Sequence, residues 1–472
     1  MFGPPTPRGT TGEETAFNDY PLSEVPAKAR RGVLPLIMIL IGFVFFTPTM
    51  LSGARLGAAF RPSELLAVLV VGSLILGTYV AVLGVIGART GLTTVLLARY
   101  TLGRAGAKWA DILLGGTQVC WYAVTAAFLA DLLASAFGWQ EHTWLIIVVA
   151  ASFTGVTAYF GYRGLEALSA VSVPLMLLLM GWVAAQAWRE IDTAGGLDAV
   201  EPTSSLAWAT AVTIVVGTFV SGGTQTPNWT RFARKPSHAL MATFGAFFFA
   251  NLMMLVFGAV GAIAYQEPDF VAVLLQLNLT VAAVVLLVFN IWTTQDNSAY
   301  SFGVAGAEMF GVNDKRPFIV GGVIVAVILA LSGIYEALPQ YLVLLGVFIP
   351  PLGGVIIGDY LFVWRGRLPR LDKTRFVRFR WDCLSAYALG TLVAWLSDRL
   401  SVGLPPVQGI LTAFLAVPLF TWGLRRLGVR SMHTVRPEKD DEPGRPDDDV
   451  HGQPGDEAAT MASAAGASEG RP

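Results

Sequence analysis

Charge is scarce in this chain. Only 14% of its 472 residues are Asp, Glu, Lys or Arg, against about 25% in an ordinary soluble domain. The charge that exists is clustered, and long stretches carry almost none, which excludes a cytosolic globular enzyme and a disordered chain. Neither sign is in excess: Lys+Arg 32 against Asp+Glu 33 leaves a net charge of −1, so no basic surface calls for nucleic acid. Cysteine is nearly absent. Cys120 and Cys383 stand far apart in apolar stretches, and that spacing makes neither a disulfide framework nor a thiolate metal site. The four histidines, His142, His238, His433 and His451, avoid the middles of apolar runs, which argues against a buried histidine relay or a histidine-liganded metal. Residues 1–30 are polar and proline-bearing with no cleavage site after a short apolar run, so no signal peptide is expected.

What is present is apolar surface. Hydrophobic residues make up 54% of the chain and the mean hydropathy is +0.59. A helix that crosses a bilayer needs about 20 mostly apolar residues. Twelve stretches qualify: 33–57, 63–88, 108–137, 143–162, 167–188, 206–230, 238–265, 270–296, 318–335, 339–364, 381–401 and 405–426. With the N-terminus placed in the cytoplasm, the basic residues near the spans gather on the inner side, from Lys28, Arg30 and Arg31 to Arg425, Arg426 and Arg430. Only Arg55, Arg61, Arg189 and Arg399 face out. That asymmetry fixes the expected topology, with both termini inside. Residues 436–472 hold ten acidic and four basic side chains among many Pro, Gly, Ala and Ser, and such a segment lacks the apolar surface to fold.

Two spans look breakable in their middles. The first contains Pro48 within Phe46-Thr47-Pro48-Thr49, and the sixth contains Gly222-Gly223 and Pro227. Proline removes a backbone donor and blocks the carbonyl one turn earlier. The two stretches are five spans apart, and paired interrupted helices in matching positions of two halves point to the midplane site of a secondary transporter. Five spans per half is an odd number, so the second half is inverted. The expected architecture is therefore an all-α polytopic membrane protein. It has a cytoplasmic N-terminal tail (1–30), a five-helix repeat (31–200), an inverted second repeat (201–364), two further spans (365–430) and a disordered acidic tail (431–472).

Polar side chains at bilayer depth are costly unless they pair or line a cavity. Gln118 and Trp121 are three apart in the third span and share a helical face. Asn290, Thr293, Thr294 and Asn297 form a stripe on the eighth, and the sixth adds Phe219 and Ser221. Amides that both donate and accept, beside the rings of Trp121 and Phe219, suit a neutral, flat heteroaromatic ligand such as a nucleobase. No Arg or Lys joins the set, which excludes an anionic substrate. The hydroxyls of Thr293 and Thr294, with loose carbonyls near Phe46 and Thr49, form a neutral oxygen site suited to a hard cation such as Na+. Proton coupling would instead need a buried carboxylate. The candidates, Asp131, Asp296 and Asp359, read as helix-end or snorkelling groups.

Five motifs then carry a family resemblance: Arg31-Gly32-Val33-Leu34, Gly91-Leu92-Thr93-Thr94, Leu114-Gly115-Gly116-Thr117-Gln118-Val119, Asn290-Ile291-Trp292-Thr293-Thr294 with Asp296-Asn297, and Ile349-Pro350-Pro351-Leu352-Gly353-Gly354-Val355-Ile356-Ile357. With these the chain resembles the bacterial cytosine permeases of the nucleobase–cation symporter family from about Arg30 to Leu427. The resemblance implies a leucine-transporter-like fold of two inverted five-helix repeats plus two helices, in the bacterial inner membrane. It also implies Na+-driven cytosine uptake by alternating access, with the chain working as a monomer. By matching motif it places Gln118, Trp121, Phe219, Ser221 and Asn290 at the substrate and Phe46, Thr49, Thr293 and Thr294 at the cation. The chain departs from the family pattern at Pro48, at Gln295 and across Gln225-Thr226-Pro227-Asn228-Trp229. Relatives carry other purines, hydantoins, allantoin or pyrimidine precursors, so the alternative is a proton-coupled permease for one of these. No enzyme is expected, because no acid, base, nucleophile and metal-ligand constellation is present.

Overall fold

The computed structural model describes residues 19–193, 196, 201–265, 280–334, 338–428 and 433–435. The tail from 436 and the start of the eighth expected stretch, up to 279, lie outside the described residues. Contacts divide the chain into one unit, Met1–Thr434, and a second, Val435–Pro472; among the described residues every helix lies in the first.

The first expected span is two helices, α1 (Val33–Val44) and α2 (Thr47–Gly57), bent by 60° at their junction. Pro48 sits in the first turn of α2, where its missing N–H costs nothing. Next come α3 (Pro62–Thr90), α4 (Thr94–Phe137), α5 (Thr143–Thr154), the single turn α6 (Val156–Tyr159) and α7 (Tyr162–Thr193). The sixth stretch is three pieces, α8 (Trp208–Gly217), α9 (Val220–Thr224) and α10 (Pro227–Thr230). A π-helical turn, Gly245–Ala250, joins α11 (Pro236–Phe244) to α12 (Asn251–Tyr265). The chain closes with α13 (Thr280–Phe310), α14 (Arg316–Leu331), α15 (Leu338–Gly358), α16 (Trp381–Leu400) and α17 (Pro405–Arg426).

Helix is found in all twelve expected stretches. By length and apolarity, however, seven helices among the described residues can cross a membrane, or eight with α1–α2 as one bent span. On its own α14, with 16 residues, reaches about 24 Å at 1.5 Å per residue, short of a hydrocarbon core about 30 Å thick.

Two boundaries differ from the expected ones for a physical reason. Helix α4 starts at Thr94 rather than 108, because the Thr93 side chain accepts the Leu96 N–H at 3.1 Å and caps a turn that hydropathy alone rejects. It is interrupted at Gly103, whose φ is 85°. Helix α13 continues past 296 to Phe310, so Asp296 lies inside a helix and is fully buried instead of ending one. Asp359 is likewise 1% exposed; neither carboxylate snorkels. Asp131 is exposed.

Packing is close where side chains vanish. A Cβ on Gly53 of α2 would sit 2.0 Å from the Leu255 carbonyl oxygen, and one on Gly258 would sit 1.9 Å from that of Met50. The two glycines let α2 and α12 touch backbone to backbone, as small residues do in membranes.

Asp359 belongs to a buried ionic cluster where α15, α16 and α17 meet. Arg380 lies 2.8 Å from Asp359 and 2.7 Å from Asp382, and donates to the Tyr100 carbonyl at 3.1 Å. Trp364 Nε1 donates to Asp359 at 3.0 Å and Thr421 to Asp382 at 3.0 Å. His433 closes the cluster. Its Nε2 donates to the Tyr100 carbonyl at 2.7 Å and its Nδ1 accepts the Val377 N–H at 3.2 Å. Burial pushes its imidazole down to about 4, which keeps it neutral and able to play both roles.

Candidate functional site

Both broken spans leave backbone groups without helical partners, and the site is built around them. In the first, Phe45 and Phe46 are extended, with φ/ψ of −68°/96° and −143°/117°. In the sixth, the break falls at Thr218 and Phe219, before the expected Gly222-Gly223 pair. Those glycines serve packing instead: a Cβ on Gly222 would meet the Phe43 ring at 2.7 Å, and one on Gly223 would meet Val80 at 2.4 Å.

Between the breaks lies a cavity of about 320 Å³, its open mouth included. Gln118, Trp121, Phe219 and Ser221, four of the five expected substrate residues, line it. Phe46 and Thr294, expected at the cation, line it as well. The Phe46 ring stands edge-on to both other rings, 5.8 Å from Trp121 at 83° and 5.9 Å from Phe219 at 74°. The three rings form an angular aromatic wall, with Gln118, only 1% exposed, beside it. Phe43, Thr125, Thr218, Gly222 and Ser298 complete the lining. Periodicity carried a signal for two of these. Thr125 continues the face of Gln118 and Trp121, and Ser298 lies one turn beyond Thr294.

Asn290 is not among the lining residues. Its Oδ1 accepts the Thr47 backbone N–H at 2.8 Å and the Thr47 hydroxyl at 2.8 Å. A side chain from α13 thus caps the first turn of α2, replacing the local cap that Phe46 cannot supply. Asn290 therefore holds the break in its shape.

The expected cation residues gather at the same break. The Thr294 hydroxyl lies 3.3 Å from the Phe43 carbonyl oxygen, 3.3 Å from that of Phe45 and 3.2 Å from that of Asn290. Thr293 donates to the carbonyls of Phe289 at 2.9 Å and Asn290 at 3.1 Å. The Phe46 carbonyl accepts the Thr49 N–H at 2.9 Å, and the carbonyls that the broken first span offers to Thr294 are those of Phe43 and Phe45. The Thr49 hydroxyl is buried with no partner among the described residues. All these donor atoms are neutral oxygens, the kind hard monovalent and divalent cations take.

The acidic candidates take no part in this site. Asp296 accepts from Thr157 at 3.3 Å and from Asn297 at 3.1 Å, and Asp359 is committed to Arg380. Neither lines the cavity.

Residues 24–420 match the family described as permease for cytosine/purines, uracil, thiamine, allantoin. The cytosine permease of Escherichia coli (strain K12) is 37% identical over 422 residues, spanning 89% of this chain and 98% of that protein. The allantoin permease of Bacillus subtilis (strain 168) is 25% identical over 413 residues, 76% of this chain and 82% of that one. In fold, the chain is similar to a nucleobase-cation-symport-1 family transporter solved in a closed conformation with bromovinylhydantoin bound. The TM-score is 0.73 at 17% identity, covering 86% of this chain and 95% of that one.

Proposed function

The chain belongs to the family of permeases for cytosine and purines, uracil, thiamine and allantoin, and from that premise we propose that it imports cytosine, or a closely related nucleobase, in symport with Na+. It is a multi-pass membrane transporter and not an enzyme. In our reading twelve spans cross the bacterial inner membrane with both termini in the cytoplasm. In the same reading one copy of the chain works alone.

One observation carries the reading: the cavity and the oxygen cluster share a wall. Phe43 and Phe46 give their rings to the cavity, and carbonyls of the same short stretch face Thr294, which also lines the cavity. A cation on these oxygens fixes the extended stretch Phe45-Phe46 and with it the ring that backs the substrate. The ligand's faces lie against Trp121 and Phe219, and Gln118 and Ser221 read its polar edge by donating and accepting. Cation and substrate then bind cooperatively, because each orders what the other needs. Closure over both, followed by opening on the other side, completes a transport cycle in which α1–α3 and α8–α12 rock against α4–α6, α13 and α14.

The test is equilibrium binding of radiolabelled cytosine to purified protein across a Na+ titration. Wild type is expected to bind more tightly as Na+ rises. Thr294→Val keeps the side-chain shape and removes the hydroxyl, and should shift the Na+ midpoint upward by about 5- to 150-fold, the equivalent of about 1–3 kcal/mol for one lost buried partner. Thr294→Ser should stay near wild type. An unchanged midpoint in Thr294→Val would remove this hydroxyl from the cation site.

A further inference from the structure

Residues 19–31, ahead of α1, are held against the helices. Asp19 is 5% exposed, and it is pinned from several directions. Its carboxylate Oδ2 lies 2.9 Å from Lys315 Nζ, ahead of α14, and accepts the Tyr162 N–H at the start of α7 at 2.8 Å. Its main-chain carbonyl accepts from Arg231 Nη2 at 2.7 Å, and that of Tyr20 accepts from Arg231 Nη1 at 2.8 Å. Arg231 directly follows α10 and also donates to the Tyr300 hydroxyl on α13 at 2.9 Å. One residue thus ties the end of the broken sixth span to α7, α13 and the turn before α14.

Further along, the segment acts as a strap. Val25 N–H donates to the Gly91 carbonyl at 3.1 Å and Arg30 Nη1 to that of Ala88 at 2.9 Å, both at the end of α3. Arg31 N–H donates to the Phe232 carbonyl at 2.5 Å, and the Arg31 carbonyl accepts the Arg234 N–H at 2.9 Å.

The seat is tight and the segment is held out of its preferred conformation. Asp19 and Tyr20 both have positive φ, 53° and 54°. Two successive non-glycine residues in the left-handed region persist only where surrounding contacts over-determine them. Gly161 leaves the room they need, since a Cβ there would lie 2.1 Å from Asp19 Oδ2. Burial lowers the Lys315 ammonium from its ordinary value, and the facing Asp19 carboxylate opposes the change. Separation of the pair would strand a buried charge, so the contact is all-or-none in character.

We propose that Asp19–Arg31 is a latch that holds the inner side of the transporter shut, and that releasing Asp19 from Arg231 and Lys315 is a step of opening toward the cytoplasm. The proposal rests on the alternating-access reading for the meaning of "inner" and "opening". The geometry supplies the rest. Helices α9 and α10 carry Ser221 and Gly222 of the cavity down to Arg231, and α13 carries Thr294 and Ser298 down to Tyr300. A path from the cavity between α10 and α13 has to part Arg231 from Tyr300. It would also part Asn228 Nδ2 from Ser301 Oγ, now 3.3 Å apart at the same junction. With both Asp19 and Tyr20 carbonyls on Arg231 and the Asp19 carboxylate on Lys315, the latch resists that movement until it lets go.

The experiment uses the full chain in nanodiscs, with Cys120→Ser and Cys383→Ala as background and one reporter cysteine at a time. Ser301→Cys reports the inner junction, and Thr125→Cys reports the cavity wall toward the outer side. Adding Asp19→Asn should raise maleimide labelling of Ser301→Cys about tenfold and lower that of Thr125→Cys, because one population gains at the other's expense. Tyr300→Phe, which removes a single contact, should move both rates the same way by less. A rise at both reporters would mean general loosening and would overturn the latch, as would no change at either with both variants. No substrate is needed for labelling, so the outcome stands apart from whether the chain carries a nucleobase.

Discussion

Asn290→Ala should lose both cation and substrate binding, although Asn290 does not line the cavity. The alanine strands the Thr47 N–H and the Thr47 hydroxyl, both now bonded to Asn290 Oδ1 at 2.8 Å. At about 1–3 kcal/mol for each stranded buried donor, the first turn of α2 loses about 2–6 kcal/mol of support, and the extended Phe45-Phe46 stretch relaxes with it. Cytosine affinity should fall by at least about thirtyfold, with a parallel loss of Na+ response in the same titration. Asn290→Asp keeps an acceptor at the helix N-terminus, where negative charge is favoured, and should recover most of the loss. If instead Asn290→Ala weakened cytosine binding with the Na+ response intact, Asn290 would be a direct substrate contact and its capping role would be secondary.

The second large effect is on stability. Arg380→Ala leaves the carboxylates of Asp359 and Asp382 buried together with no cation between them. Breaking a buried ion pair costs about 3–5 kcal/mol, and here one side chain serves two carboxylates. The melting temperature of the detergent-solubilised variant should fall by several degrees, or the protein should fail to accumulate. Arg380→Lys should rescue little, since an ammonium cannot reproduce the fork that reaches Asp359, Asp382 and the Tyr100 carbonyl at once. The cavity is not part of this cluster. Surviving Arg380→Lys protein should therefore bind cytosine with near wild-type affinity, and loss of binding without loss of stability would contradict the assignment.

The sequence made the break in the first span legible because Pro48 has only one comfortable place in a helix, the first turn, and the structure puts it there. The sixth span was harder to read. Gly222 and Gly223 look like a weak point in a string of letters, but their missing side chains accommodate Phe43 and Val80, and the chain bends earlier at Phe219. The stripe on α13 showed which residues share a face but not what that face meets. Asn290 and Thr294 both lie on it, and one caps α2 while the other faces the cavity.

Hydropathy also hid everything at the helix ends. It stopped the eighth stretch at Asp296, a residue the helix passes through, and left the carboxylate with Thr157 and Asn297 for partners. It gave no weight to Asp19 and Tyr20, whose contacts with Arg231 are more than two hundred positions away in sequence. Long-range polar contacts of this kind have no local period, so periodicity cannot reveal them.

The most direct measurement is uptake of radiolabelled cytosine into proteoliposomes, with and without an inward Na+ gradient, competed by uracil, adenine, hydantoin and allantoin. Accumulation above equilibrium that requires the Na+ gradient and yields only to cytosine-like bases is the expected result. Accumulation driven by a pH gradient and indifferent to Na+ would contradict the coupling role of Thr293 and Thr294. Absence of cytosine uptake, with another heterocycle carried in its place, would contradict the substrate.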